Sequence, residues 1–189
     1  MNKSLMDHII RVRLPITIFV VIASFSVTYY ASRAERDGIG YAPQQPVNFS
    51  HKLHAGDMKI DCQYCHSAVE KSRHASIPSV ETCMNCHTVA RKDRPDIIKL
   101  TQHYNEGKAL EWKRVHKVPD FAYFNHSVHI NNGIDCVSCH GEVKNMDVIT
   151  QVNSFVMSAC LDCHRNAHEY FPDLKELNIG PDNCFACHR

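Results

Sequence analysis

The chain has 189 residues, with 21 basic and 20 acidic side chains. That near-balance excludes the strong basic field of a nucleic-acid binder. The length suits one domain, or one domain plus an anchor. Ten cysteines make about five per cent of the chain, a density also found in exported disulfide-rich domains, so their spacing has to decide the class.

Residues 1–13 carry Lys3, Arg11 and Arg13 and are expected on the cytoplasmic side. Leu14 to Ser32 is a run of 19 residues without a charge. As a helix it extends roughly 28 Å, close to the thickness of the bilayer core. Pro15 suits a first helical turn. Tyr29 and Tyr30 stand near the far end, where aromatic residues gather at membrane interfaces. The competing reading is a signal peptide cut after Ser32-Arg33-Ala34, a small-x-small site. The apolar run is longer than an ordinary signal core, which favours an uncleaved single-pass anchor over 14–32 in membrane lipid. The positive-inside bias is weak, because Arg33 and Arg36 follow the span.

Residues 33–48 are polar and contain Gly38, Gly40, Pro43 and Pro46, the composition of a linker. From Phe49 onward the chain repeats itself. Phe49-Ser50-His51-Lys52-Leu53-His54 is followed by Ile60-Asp61-Cys62-Gln63-Tyr64-Cys65-His66. Phe124-Asn125-His126-Ser127-Val128-His129 is followed by Ile134-Asp135-Cys136-Val137-Ser138-Cys139-His140. This predicts two related modules within a domain over 49–189, one at 49–117 with two Cys pairs and one at 118–189 with three. Asp96 to Leu110 has a short helical pattern, and no strand-like alternation persists. The expected fold is mostly helical and irregular, with little or no β-sheet.

All ten cysteines fall into five Cys-x-x-Cys-His motifs: Cys62–His66, Cys83–His87, Cys136–His140, Cys160–His164 and Cys184–His188. Cysteines at i and i+3 share one face of a helical turn. There they can form thioethers to the two vinyl groups of one haem, with the following His beneath the iron as proximal ligand. The pattern reads as c-type haem attachment, repeated five times. Zinc sites need two Cys pairs per ion, and five pairs is odd. Redox Cys-x-x-Cys sites occur singly. Structural disulfides rarely all span two residues. Five haem c groups among the roughly 149 residues from 41 to 189 leave roughly 30 residues each, too few for an ordinary core, so porphyrin must supply most of the buried apolar surface. Trp112 is expected against a porphyrin face. Attachment of this kind takes place outside the cytoplasm, which puts the haem domain on the periplasmic side of a bacterial inner membrane.

Five proximal histidines, His66, His87, His140, His164 and His188, leave nine of the chain's 14. His8 lies on the wrong side of the membrane. The two H-x-x-H pairs stand out, because neighbours at i and i+3 point to one side of a turn and each iron has one free axial position. The two imidazoles of a pair should therefore serve two different haems. His51, His54, His126 and His129 are the expected distal ligands. His116 is the expected fifth, with Met157 as the alternative; a Met ligand would raise that haem's potential. His74, His103 and His168, and Met84 and Met146, rank below them.

Several segments resemble the membrane-anchored pentahaem cytochrome subunit of bacterial alternative complex III. They are Cys83-Met84-Asn85-Cys86-His87, Trp112 through Arg114-Val115-His116 to Pro119-Asp120-Phe121, Tyr123 to His126 with His129, and Met157 through Cys160-Leu161-Asp162-Cys163-His164-Arg165. The likeness covers nearly the whole chain. One departure is Ala159, where the family often has an aromatic before the fourth motif. The resemblance implies cytochrome c3/c7-like modules in a multisubunit quinol:electron-acceptor oxidoreductase. In it, this subunit would carry electrons from an iron–sulfur subunit towards a monohaem cytochrome or a terminal oxidase. It would be a relay without a catalytic residue of its own. The competing functions are a self-standing membrane-anchored multihaem quinol dehydrogenase and a multihaem reductase, which would need an open iron.

Overall fold

A computed structural model of the protein describes residues 3–31, 38–174 and 177–188. It forms two compact units, one ending at Asp37 and one starting at Gly38. The first unit is a continuous helical rod. Helix α1 (Lys3–His8) runs through a π-helical turn, Ile9–Arg13, into α2 (Leu14–Ala31). Within the stretch Met6–Ala31, 26 residues long, an 18-residue window reaches a mean hydropathy of 1.9, and none of that window is buried. Phe19, Val21, Ile22 and Phe25 are all exposed, so the apolar surface runs round every face. Such a helix has the length and apolarity to cross a membrane, and a signal sequence near an amino terminus has the same properties. Thr17 donates its hydroxyl to the Arg13 carbonyl at 2.9 Å, which satisfies the one hydroxyl in the first apolar turn. Ser32, Arg33, Ala34 and Arg36, on which the cleavage-site and charge-bias expectations fell, lie outside the described residues.

The second unit is built from short helices and loops, and among the described residues it has no β-strand. In chain order the α-helices among the described residues are α3 (Cys62–Cys65), α4 (Val80–His87), α5 (Pro95–Asn105), α6 (His126–Asn131), α7 (Cys136–His140), α8 (Met157–Arg165), α9 (Ala167–Tyr170) and α10 (Cys184–Cys187), with a π-helical turn at Lys52–Asp57 and a 3-10 turn at Val143–Asn145. Helix α5 starts where Pro95 can occupy a first-turn position without losing a needed N–H. Its Ile97 and Leu100 pack against Val80 and Met84 of α4, with Val47 and Leu110 completing the cluster. Trp112, partly buried, packs against this cluster. Outside it, only Val69, Val115 and Ala167 are buried apolar residues, so among the described residues the protein's own core is very small.

Residues 38–48, within the stretch expected as a linker, are packed into the second unit. Gly40 N–H donates to the Gln151 carbonyl at 2.8 Å, and Gln45 exchanges two bonds with the Lys113 backbone, at 2.9 and 3.0 Å. Asn48 donates to Asp96 at 3.1 Å, and Val47 is only 4% exposed. The glycines serve turns: Gly38 and Gly40 have φ of 77° and 79°, and a Cβ on Gly38 would meet the buried Gln151 side chain at 2.8 Å.

Candidate haem-binding site

Each Cys-x-x-Cys-His motif occupies one helical turn or the end of a longer helix. In three of them the residue just before the first Cys caps that turn. The Asp61 carboxylate accepts from Gln63 N–H at 2.8 Å, the Asp135 carboxylate from Ser138 N–H at 2.8 Å, and the Asn183 amide oxygen from Ala186 N–H at 3.1 Å. A four- or five-residue helix cannot stabilise itself, so the cap is what holds the two thiols on one face. The Ile-Asp-Cys repeat seen in the sequence is this cap. The second and fourth motifs instead lie on the longer α4 and α8.

The ten thiols form no disulfide. Burial is the first cause of raised thiol pKa values at Cys65, Cys83, Cys136, Cys139, Cys160 and Cys163. These are not the activated thiolates of a redox Cys-x-x-Cys centre. Among the described residues no three His, Cys, Asp or Glu side chains come together as a metal cage. Each Cys pair stands with its own His, a donor set suited to a group that brings its metal with it.

The histidines are held in one tautomer by backbone carbonyls. Nδ1 of the motif histidines His66, His87, His164 and His188 meets the carbonyls of Ser76 (2.7 Å), Ala90 (3.0 Å), Pro181 (2.7 Å) and Phe121 (3.1 Å). Nδ1 of His54, His126 and His129 meets those of Ser50 (2.9 Å), Arg73 (2.8 Å) and Asn125 (2.8 Å). A carbonyl only accepts, so Nδ1 carries the proton and Nε2 keeps its lone pair for a metal. Burial, then the neighbouring His66, His54 and His116, pushes His51 down to about 4. Burial, then His116, His126 and His66, does the same to His140. Burial also lowers His116 and His129. All four are neutral at pH 7, the metal-binding form.

Three pairs of rings have the spacing that a shared iron requires. An imidazole nitrogen binds a metal at about 2.0–2.1 Å and lies roughly 1.1 Å from its ring centre, so two rings on opposite sides of one iron are about 6.3 Å apart. His54 and His87 are 6.2 Å apart, His126 and His140 are 6.4 Å apart, and His129 and His164 are 6.1 Å apart. The two imidazoles of the second H-x-x-H pair thus stand beside two different motifs. Among the histidines that act on His51, the first motif's His66 has the largest electrostatic effect, and Nδ1 of His51 is buried without a hydrogen-bond partner.

His116 is placed differently. Its ring meets His140 edge-on at 4.5 Å, too close for an iron between them, and its Nε2 is buried without a partner. Met157 opens α8 and is 64% exposed. His103 points its Nδ1 at the Ala109 carbonyl at 3.2 Å. His74 and His168 are exposed.

The repeat also contains a residue whose contact with both histidines its pattern alone did not assign. Phe49 stacks on His54 at 4.4 Å and 25° and stands edge-on to His51 at 4.9 Å and 88°. Phe124 stacks on His129 at 4.6 Å and 29° and stands edge-on to His126 at 4.8 Å and 87°. The same wedge recurs 75 residues later with almost the same geometry. The Phe at the head of each F-x-H-x-x-H segment sets the planes of both imidazoles. The only signal for it in the sequence was its recurrence. Gly180 is a second such residue: a Cβ there would lie 2.5 Å from Cγ of His164, so the backbone lies flat against that ring.

Bare Nε2 atoms, ring pairs at iron spacing and a core too small for the chain all fit haem c. Comparison with known proteins agrees. The family described as "Class III cytochrome C family" matches residues 28–111, and "Cytochrome c7 and related cytochrome c" matches residues 122–189. The chain is a multihaem cytochrome c with c3/c7-like domains. The two matched regions divide the cytochrome's motifs as two and three. Over 171 residues it is 28% identical to the "Menaquinone reductase, multiheme cytochrome c subunit" of Nitratidesulfovibrio vulgaris, covering 77% of each chain. Over 91 residues it is 25% identical to the "Cytochrome c-552" of Desulfotalea psychrophila, covering 39% of this cytochrome and 18% of that protein.

Proposed function

We propose that this cytochrome is a pentahaem electron-transfer subunit of a membrane quinone-linked oxidoreductase, of the alternative complex III type. Each Cys-x-x-Cys pair would hold one haem c, with His66, His87, His140, His164 and His188 as proximal ligands. His54, His126 and His129 would be distal ligands to the irons of His87, His140 and His164, and His51 to that of His66. His116 and Met157 are the candidates for the fifth distal position. Haem iron supplies one-electron oxidation and reduction when bound. The protein's part is to fix each imidazole's tautomer and plane and to keep the groups close. The observation behind this is the set of three ring pairs at 6.1–6.4 Å: two imidazoles held for each of these irons would close them to substrate, as a relay requires and a reductase does not.

The domains follow from the same reading. The amino-terminal helix, over 14–32, anchors the chain in a bacterial inner membrane, and the modules over 49–117 and 118–189 lie on the periplasmic side. An iron–sulfur subunit and a monohaem cytochrome are the proposed partners. A second direction of flow is favoured by the relative in Nitratidesulfovibrio vulgaris, whose name gives it a menaquinone reductase: electrons would then arrive through the haems and leave to quinone.

Purification in mild detergent tests this. The cytochrome should come with other subunits, one holding iron–sulfur clusters. Menaquinol should reduce its haems in the first direction, and menaquinone should oxidise the prereduced haems in the second. A chain that purifies alone and exchanges electrons with quinol by itself would sink the subunit reading in favour of a self-standing quinol dehydrogenase.

A further inference from the structure

Contacts between the motifs do not follow their order in the chain. The second motif leans on the first: Asn85, inside Cys83–His87, donates to the hydroxyl of Tyr64, inside Cys62–His66, at 3.1 Å. The first motif in turn reaches the third through the loop that follows His66. That loop supplies the Ser76 carbonyl to His66 itself and the Arg73 carbonyl to Nδ1 of His126, at 2.7 and 2.8 Å. Ser127 N–H donates to the Ser72 carbonyl at 3.2 Å, and Asn131 to the Glu70 carbonyl at 3.1 Å. His126 stands 6.4 Å from His140 of the third motif. The Cys136 side chain also lies beside that of Cys62.

The third and fourth motifs share α6, since His126 stands beside His140 and His129 beside His164. The fourth and fifth share the segment before Cys184. There the Pro181 carbonyl accepts from Nδ1 of His164 at 2.7 Å, and Gly180 lies against the same ring. Among the described residues, no hydrogen bond or ring contact joins the second motif to the third.

We propose that the haem positions run in space as second, first, third, fourth, fifth. The two ends of the array are then the Cys83–His87 and Cys184–His188 motifs, and the motif first met in the sequence is internal. This presupposes the five haems proposed above. The cause is local: each H-x-x-H pair ties two motifs of its own module, and the joint between modules is made by the loop 67–76, which belongs to the first motif.

The test uses the full chain in detergent, with its haems fully reduced and diamagnetic. Each haem's protons are assigned through its thioether cysteines, and through-space proton contacts between haems are mapped by nuclear Overhauser spectroscopy. The expected contacts are second–first, first–third, third–fourth and fourth–fifth. A direct second–third contact, or an absent first–third contact, overturns the order. Intact mass of the same sample counts the haems. A count below five overturns the pentahaem reading, whereas five haems in a different contact order overturn this proposal alone.

Discussion

At the residue scale the decisive groups are imidazoles and the atoms that orient them. Removing a distal imidazole should open one iron. His54→Ala, His126→Ala and His129→Ala are each expected to give one high-spin haem that binds about one equivalent of carbon monoxide, where the unaltered protein binds little; visible spectra and gas titration read this directly. The Phe wedges act on planes instead of bonds. Phe124 is half-buried, so Phe124→Ala should cost about 1–3 kcal/mol in unfolding free energy. It should also shift and broaden the low-spin electron paramagnetic resonance signals of the third and fourth haems. Phe124→Leu should recover most of the stability but not the signals, because a branched aliphatic chain fills volume without fixing two ring planes. Unchanged signals in both variants would reduce the wedge to core filling.

At the element scale, the cap and the close backbone approach matter most. The turn Cys136–His140 has five residues, and its start is held by Asp135, which accepts from both the Ser138 N–H and the Ser138 hydroxyl. Asp135→Ala should lower stability by about 1 kcal/mol in denaturant titration, and Asp135→Asn by much less. Gly180 presents the opposite problem, where the absence of a side chain is what fits. An alanine there must displace the ring of His164 or the loop that holds it. Gly180→Ala should therefore cost about 1–3 kcal/mol and move the fourth haem's spectrum while leaving the second haem's unchanged.

At the scale of the whole molecule, the chain is short of protein core. The buried apolar cluster of Val47, Val80, Met84, Ile97, Leu100 and Leu110 sits at one place, around α4 and α5. The region of α6 to α10 has almost nothing comparable, since Ala167 is its only buried apolar residue among those described. Chain produced without haem attachment should lack stable structure from 118 onward, and only the α4–α5 region should resist amide hydrogen exchange. Uniform protection across the haem-free chain would show that the protein folds on its own core. In the haem-loaded protein the same amides should exchange slowly throughout.

By itself the sequence determined the chemistry. The five Cys-x-x-Cys-His motifs, the two F-x-H-x-x-H segments and the apolar amino-terminal run are local patterns, and local patterns act over one or two helical turns, so they are readable in order. Short helices without strands were legible for the same reason. The rest depended on contacts between residues far apart in the chain. Docking of 38–48 depends on Gln151, Lys113 and Asp96 meeting that segment. The pairing of His54 with His87 and of His129 with His164 spans 33 and 35 residues. The separation of His116 from an axial place opposite His140 is a matter of 4.5 Å against about 6.3 Å. The order of the motifs depends on one loop whose carbonyls serve two modules. Spacing along a chain sets which side chains share a turn. Only the fold decides which turns face each other, because that is fixed by hydrogen bonds and packing that no short stretch contains.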